Sequence, residues 1–89
     1  MLKIELPVDS DNCIETVAKR KYDSYTTEYF QNPSKELEGK IDLLYKFLVL
    51  AGDFRGLRKE SEPYIIQGKS VKFVIYSDEG EAKYQLEVK

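Results

Sequence analysis

Few residues in this chain are equipped for chemistry, and the missing types decide more than those present. There is no histidine. That removes Ser-His-Asp and Cys-His catalysis, zinc sites of the Cys/His kind and the ordinary proton shuttle at neutral pH. Cys13 is the single cysteine. Without a histidine to activate it, it is expected as a small buried residue, although Lys19 to Lys21 could lower its pKa if they lay close. Asp9, Asp11 and Asn12 offer oxygen ligands but lack the spacing of a calcium loop and its later Gly and Glu. They are where helix N-cap residues belong. The sixteen Asp and Glu residues show no spacing that singles out an acid–base pair. No catalytic residue, metal ligand or cofactor is therefore assigned.

Two groups could bind rather than react. Lys19-Arg20-Lys21 and Arg55, Arg58 and Lys59 are basic clusters in a chain of net charge −2. If they converged they could hold a phosphate or another small anion, with Phe54 as a stacking surface and Gly56 allowing close backbone approach. No glycine-rich phosphate loop accompanies them, and a solvated charged face is the plain alternative. The second group is a strand face, derived below.

The elements that would position these residues follow from patterning. Residues 35–52 form the most apolar stretch. Leu37, Ile41, Leu44, Leu48 and Ala51 fall on one helical stripe roughly 80° wide, flanked by Tyr45 and Phe47. Leu43, Val49 and Leu50 widen the apolar sector, so this helix is expected to be buried on more than one side or to meet a partner. Ser34 is its expected N-cap and Gly52 its stop, with Glu36–Lys40 and Asp42–Lys46 as supporting i,i+4 pairs. The apolar run is far shorter than the ~20 residues a membrane span needs.

Before this helix, Leu2, Ile4 and Leu6 alternate with charges as a short strand ending at Pro7. Ile14, Val17, Ala18, Tyr22, Tyr25 and Tyr29 share a helical face. A helix is expected over residues 12–22, with a continuation to 30 as its longer form and a strand or an irregular segment over 22–30 as the competing reading. Residues 53–63 are charged, contain Gly56 and end at Pro63, which suggests a loop with at most one helical turn.

The C-terminal third alternates as strands. A two-residue turn at Gly68-Lys69 would pair Tyr64 with Phe73 and Ile66 with Val71. A turn centred on Glu79-Gly80 pairs Ser77 with Ala82, Ile75 with Tyr84 and Phe73 with Leu86. A one-residue slip would set Phe73 against Gln85, so the pattern rejects it. The inner face then carries Tyr64, Ile66, Val71, Phe73, Ile75, Tyr84, Leu86 and Val88. The outer face carries Ile65, Lys72, Val74, Tyr76, Lys83, Gln85 and Glu87.

The expected architecture is a two-layer α+β domain over residues 1–89, in the order β-α-α-β-β-β. Two helices would pack on one face of a mainly antiparallel sheet ending in a three-stranded meander. The first strand would join an edge of it.

At 42% hydrophobic and 34% charged, the composition is that of a soluble folded chain rather than a disordered one. The slight acidity provides no field to gather nucleic acid or an anionic membrane. Most of the seven tyrosines fall on core faces, leaving no basic, aromatic sheet for base stacking. The alternating, charged N-terminus is unlike a signal peptide, and an unpaired cysteine suits a reducing compartment. These features lead to an expectation of a cytoplasmic, non-enzymatic inhibitor, adaptor or accessory factor. It would bind a protein partner or itself through Ile65, Val74, Tyr76 and Lys83, which are apolar or aromatic on a face that should be wet. The alternative expectation is a sensor or sponge for a small anion such as a nucleotide, held by Phe54, Arg55, Arg58 and Lys59.

Overall fold

In the computed structural model, which describes residues 2–89, the elements run β1 (Lys3–Val8), α1 (Ile14–Gln31), α2 (Lys35–Ala51), α3 (Arg55–Ile66), β2 (Val71–Asp78) and β3 (Glu81–Val88). The order is β-α-α-α-β-β, an α+β fold with three helices on one face of a three-stranded antiparallel sheet ordered β1-β2-β3.

The β2–β3 register is the one expected from alternation. Phe73 lies opposite Leu86, Ile75 opposite Tyr84 and Tyr76 opposite Lys83, closing at Asp78–Glu81. Glu79 and Gly80 both have positive φ, 53° and 81°, as a two-residue type I′ turn requires. The like-charge pair Asp78–Glu81 does not open the turn. Lys83 Nζ lies 2.7 Å from Asp78 Oδ2 and offsets the repulsion.

The third strand of the meander is absent. Residues 64–66, expected to pair with β2, are the last turn of α3. Their place beside β2 is taken by β1, which sets Ile4 against Ile75, Leu6 against Phe73 and Val8 against Val71. Residues 53–63 likewise form helix rather than loop. Buried Leu57 and Ser61 and half-buried Tyr64 and Ile65 recur at helical spacing, a stripe that one polar member obscures in the sequence. Ser61 is satisfied there because its hydroxyl donates to the Arg58 carbonyl at 3.1 Å. Pro63 sits inside the helix and does not end it.

β1 also passes through its proline, continuing to Val8. Successive residues of an edge strand point their backbone groups alternately toward the neighbour and toward solvent. Ile4, Leu6 and Val8 face β2, so the nitrogen of Pro7 falls on the free edge, where no ladder bond is lost.

α1 runs the full length to Gln31, so the longer helical reading is the right one and residues 22–30 are not a strand. Its start differs from expectation. Cys13 occupies the N-cap position without a side-chain cap, while Asp9 Oδ1 accepts the Asp11 and Asn12 amides, each at 2.8 Å, in the turn ahead. The Asp11 amide first, and then the Asn12 side-chain amide, hold the Asp9 carboxyl below its ordinary pKa.

α2 begins and ends as expected. Leu37 N–H donates to Ser34 Oγ at 3.1 Å, and Gly52 takes φ 63°. Glu36–Lys40 and Asp42–Lys46 pair at 3.4 and 3.0 Å. Its buried face is rotated, however. Leu37, Leu43, Leu44 and Phe47 are buried, whereas Ile41 and Leu48 are only half-buried. Phe47 is fully enclosed and meets Tyr84 edge-on, ring centroids 6.1 Å apart. Leu43 is core. Tyr45, Val49 and Leu50 are exposed, so the outer half of the apolar sector is open to solvent.

Candidate functional site

The expected apolar patch on the outer sheet face does not form. Ile65 belongs to α3, half-buried against the core. Val74 is on the outer face but only 3% exposed. It lies in the middle strand between Glu5 and Gln85, where the stems of long neighbours can cover it. Of the four residues, Tyr76 and Lys83 alone are available, half-buried and exposed respectively. The rest of the face is ionic. Lys72 Nζ sits 3.0 Å from Glu5 and 3.4 Å from Glu87, and these contacts raise its pKa, the hydrogen bond to Glu5 first.

The basic trio does not form an open clamp. Phe54 is buried in a left-handed conformation, φ 61°, where its ring fills the core and offers no stacking surface. Arg58 is ion-paired to Glu15, and Arg55 to Asp53 at 3.5 Å. Arg20 of the other cluster donates to Asn12 Oδ1 at 3.1 Å. Lys59 is exposed.

That corner does hold one chemically distinctive group. The Cys13 thiol is half-buried at the start of α1, 3.1 Å from Thr16 Oγ1 and 3.4 Å from Glu15 Oε1. The Thr16 hydroxyl and amide hold its pKa below the ordinary thiol value, with a smaller contribution from the Arg58 charge. Among the cations it is Arg58, not Lys19 to Lys21, that adds to this lowering, and its position could not be placed without the fold. Since the thiolate is the nucleophile, Cys13 should be alkylated by iodoacetamide faster at neutral pH than an unperturbed thiol. Thr16→Val should shift the pH–rate curve upward. An unshifted curve would show that Thr16 does not stabilise the thiolate.

The least finished part of the molecule is the β3 side. Both outer strands are edges, yet they are treated differently. On β1 the inward residues Ile4, Leu6 and Val8 are 2%, 0% and 4% exposed. On β3 the equivalent residues Ala82, Tyr84 and Leu86 are half-buried and Val88 is exposed. Beside them a cleft of about 280 Å³ opens between α2, α3 and β3, lined by Phe47, Leu50, Ala51, Leu57, Glu60 and Tyr84 among others. Tyr84 Oη donates to Glu60 Oε1 at 2.9 Å across it. Partial burial, then the Glu60 carboxylate, raise the Tyr84 pKa. Leu50, at the rim, is 58% exposed.

The chemistry this arrangement permits is association. An unpaired strand edge offers backbone donors and acceptors, and the adjoining cleft offers apolar area with one hydroxyl–carboxylate pair. The sequence places β3 correctly and a strand edge offers β-augmentation as one binding mode beside the outer face, but which edge is left open follows only from the sheet order. The sign was present in the alternation of Ala82, Tyr84, Leu86 and Val88 on a terminal strand without proline.

A protein-family model matches residues 2–87, almost the whole described chain. The chain belongs to that family. No curated protein and no solved structure matches it. The family match spans β1 through nearly all of β3, so the three helices and the sheet with its unfinished edge all lie within the matched region. No helix among the described residues is long and apolar enough to cross a membrane.

Proposed function

We propose that this chain is a small non-enzymatic binding protein acting inside the cell, an inhibitor, adaptor or accessory factor. Its working surface is the β3 edge together with the cleft between α2, α3 and β3. The reading is supported above all by the asymmetry of the two edges. β1 has its inward side chains covered and carries Pro7 on its free side, two features that discourage strand addition. β3 has neither. Tyr76 and Lys83, on the outer face beside this edge, would contact the rim of a partner rather than anchor it.

The test is capture from a lysate of the source organism. Leu50→Glu alters an exposed cleft residue, and Leu86→Pro removes a backbone donor on the free edge as Pro7 does on β1. With the thermal transition of each variant recorded, both should lose at least tenfold of whatever the wild type retains. Retention equal to wild type by both folded variants would remove the β3 side as the working surface.

A further inference from the structure

We propose that the β3 edge is occupied by a second copy of this chain, joined antiparallel about a two-fold axis at Gln85 to make a continuous six-stranded sheet. This rests on the reading of β3 as the working surface and adds its occupant and register.

The free backbone groups are fixed first. Ser70 and Lys89 exchange both of their backbone hydrogen bonds, at 3.2 and 2.9 Å. In an antiparallel ladder such pairs recur every second residue. Glu81, Lys83, Gln85, Glu87 and Lys89 therefore turn their main-chain groups toward β2. Ala82, Tyr84, Leu86 and Val88 turn theirs to solvent. A second strand must set these four against their own kind, which also keeps inward side chains facing inward. That leaves only registers whose symmetry axis passes through a residue of β3.

Charge then selects among them. With the axis at Gln85, Lys83 meets Glu87 of the second copy and Glu81 meets Lys89, each twice by symmetry. Ala82 meets Val88 and Tyr84 meets Leu86, so the half-buried inward residues complete each other. Moving the axis to Tyr84 sets Glu81 against Glu87. Moving it to Leu86 sets Lys83 against Lys89. Both neighbouring registers thus place like charges opposite one another, which is unfavourable. The segment Glu81-Ala82-Lys83-Tyr84-Gln85-Leu86-Glu87-Val88-Lys89 is complementary to itself read backwards in this one alignment. A lysine on an edge strand ordinarily deters pairing. Here it deters the wrong registers and meets a carboxylate in the right one. Lys83 and Glu87 are about half exposed, at 47% and 44%, so both can reach across while keeping Asp78 and Lys72. An axis normal to the sheet leaves both sets of helices on the same face. Exposed Leu50, which shares its cleft with Tyr84, then lies on the side toward the join.

The experiment is a charge exchange read by light scattering on a sizing column. Wild type should elute as a dimer at high concentration. Lys83→Glu alone and Glu87→Lys alone turn both symmetric pairs repulsive, and each should raise the dissociation constant about tenfold or more. Mixed one to one, the two variants restore both opposite-charge pairs at a shared interface and should dimerise with each other at close to wild-type strength. A single cooperative thermal transition, recorded for each variant alone, ensures that folded chains are compared. A wild type that stays monomeric at its solubility limit would overturn the proposal. So would mixed variants that fail to associate. If such a monomer still captures a lysate protein through Leu50 and Leu86, self-pairing fails while β3 remains a binding surface. If those variants also leave capture unchanged, both readings fail together.

Discussion

Phe47→Ala should destabilise the protein by about 3–5 kcal/mol, while Ile41→Ala should cost about 1 kcal/mol or less. Phe47 is fully enclosed and touches the Tyr84 ring, and its removal leaves a cavity at the junction of α2, β3 and the cleft. Ile41 is half-buried beside Tyr22 and Tyr45, so truncation there removes little enclosed surface. A domain of this size holds only about 5–15 kcal/mol in total, so Phe47→Ala should leave a much-lowered thermal transition or none. For the smaller change, about 1 kcal/mol corresponds to roughly 4–8 °C in a domain of this length. Thermal unfolding followed by circular dichroism reads both. Equal losses from the two variants would mean that α2 presents a different face to the sheet.

Pro63→Ala should move stability the other way, by about 1–2 kcal/mol. Proline inside a helix costs about 3 kcal/mol relative to alanine, through the missing N–H and the clash with the carbonyl four residues earlier, here Lys59. Two effects reduce the gain. Proline restricts the unfolded chain, worth about 0.4–1 kcal/mol, and Pro63 lies in the last third of α3 rather than its centre. The substituted chain should melt several degrees higher with slightly more helical signal. A lower transition would show that the Pro63 ring is needed where it is.

These two residues also show how far the sequence could be read. On a helical wheel Ile41 lies within the stripe, at one margin, and Phe47 only flanks the opposite margin. The wheel treats all partners as lying in one direction, but α2 meets α1 as well as the sheet, so the buried sector is centred elsewhere and includes Leu43. Pro63 is a helix breaker by intrinsic preference. Burial of Leu57 and Ser61, with Tyr64 and Ile65 packed on the core, outweighs that preference, and α3 continues for three residues past it. The misreading of residues 64–66 as a strand has the same origin. Tyr64, Ile65 and Ile66 suit a strand locally, but β2 has only two sides, and β1 offers Ile4, Leu6 and Val8 as a better-buried partner.

The candidate surfaces divide similarly. Val74 looks like an exposed apolar residue in a list of alternating positions. Its place in the middle strand, between Glu5 and Gln85, leaves it buried. Phe54, Arg55, Arg58 and Lys59 look like an anion clamp in sequence. Folding buries the aromatic and pairs both arginines, one of them with Glu15 from another helix.

The sequence by itself determined the α+β class, the limits of α2, the long α1 as one of two readings, and every pair of the β2–β3 hairpin. Each of these depends on local periodicity, caps and turn residues, whose forces act within a few positions along the chain. Only the tertiary structure decided which strand flanks β2, that residues 55–66 are helical, which face of α2 is core, and that Cys13 shares a corner with Arg58. Those outcomes rest on competition between distant segments for the same buried surface, and on charges brought together by folding. The β3 edge lies between the two. Its self-complementary order of charges is written in residues 81–89, but only the sheet order shows that the edge is left open.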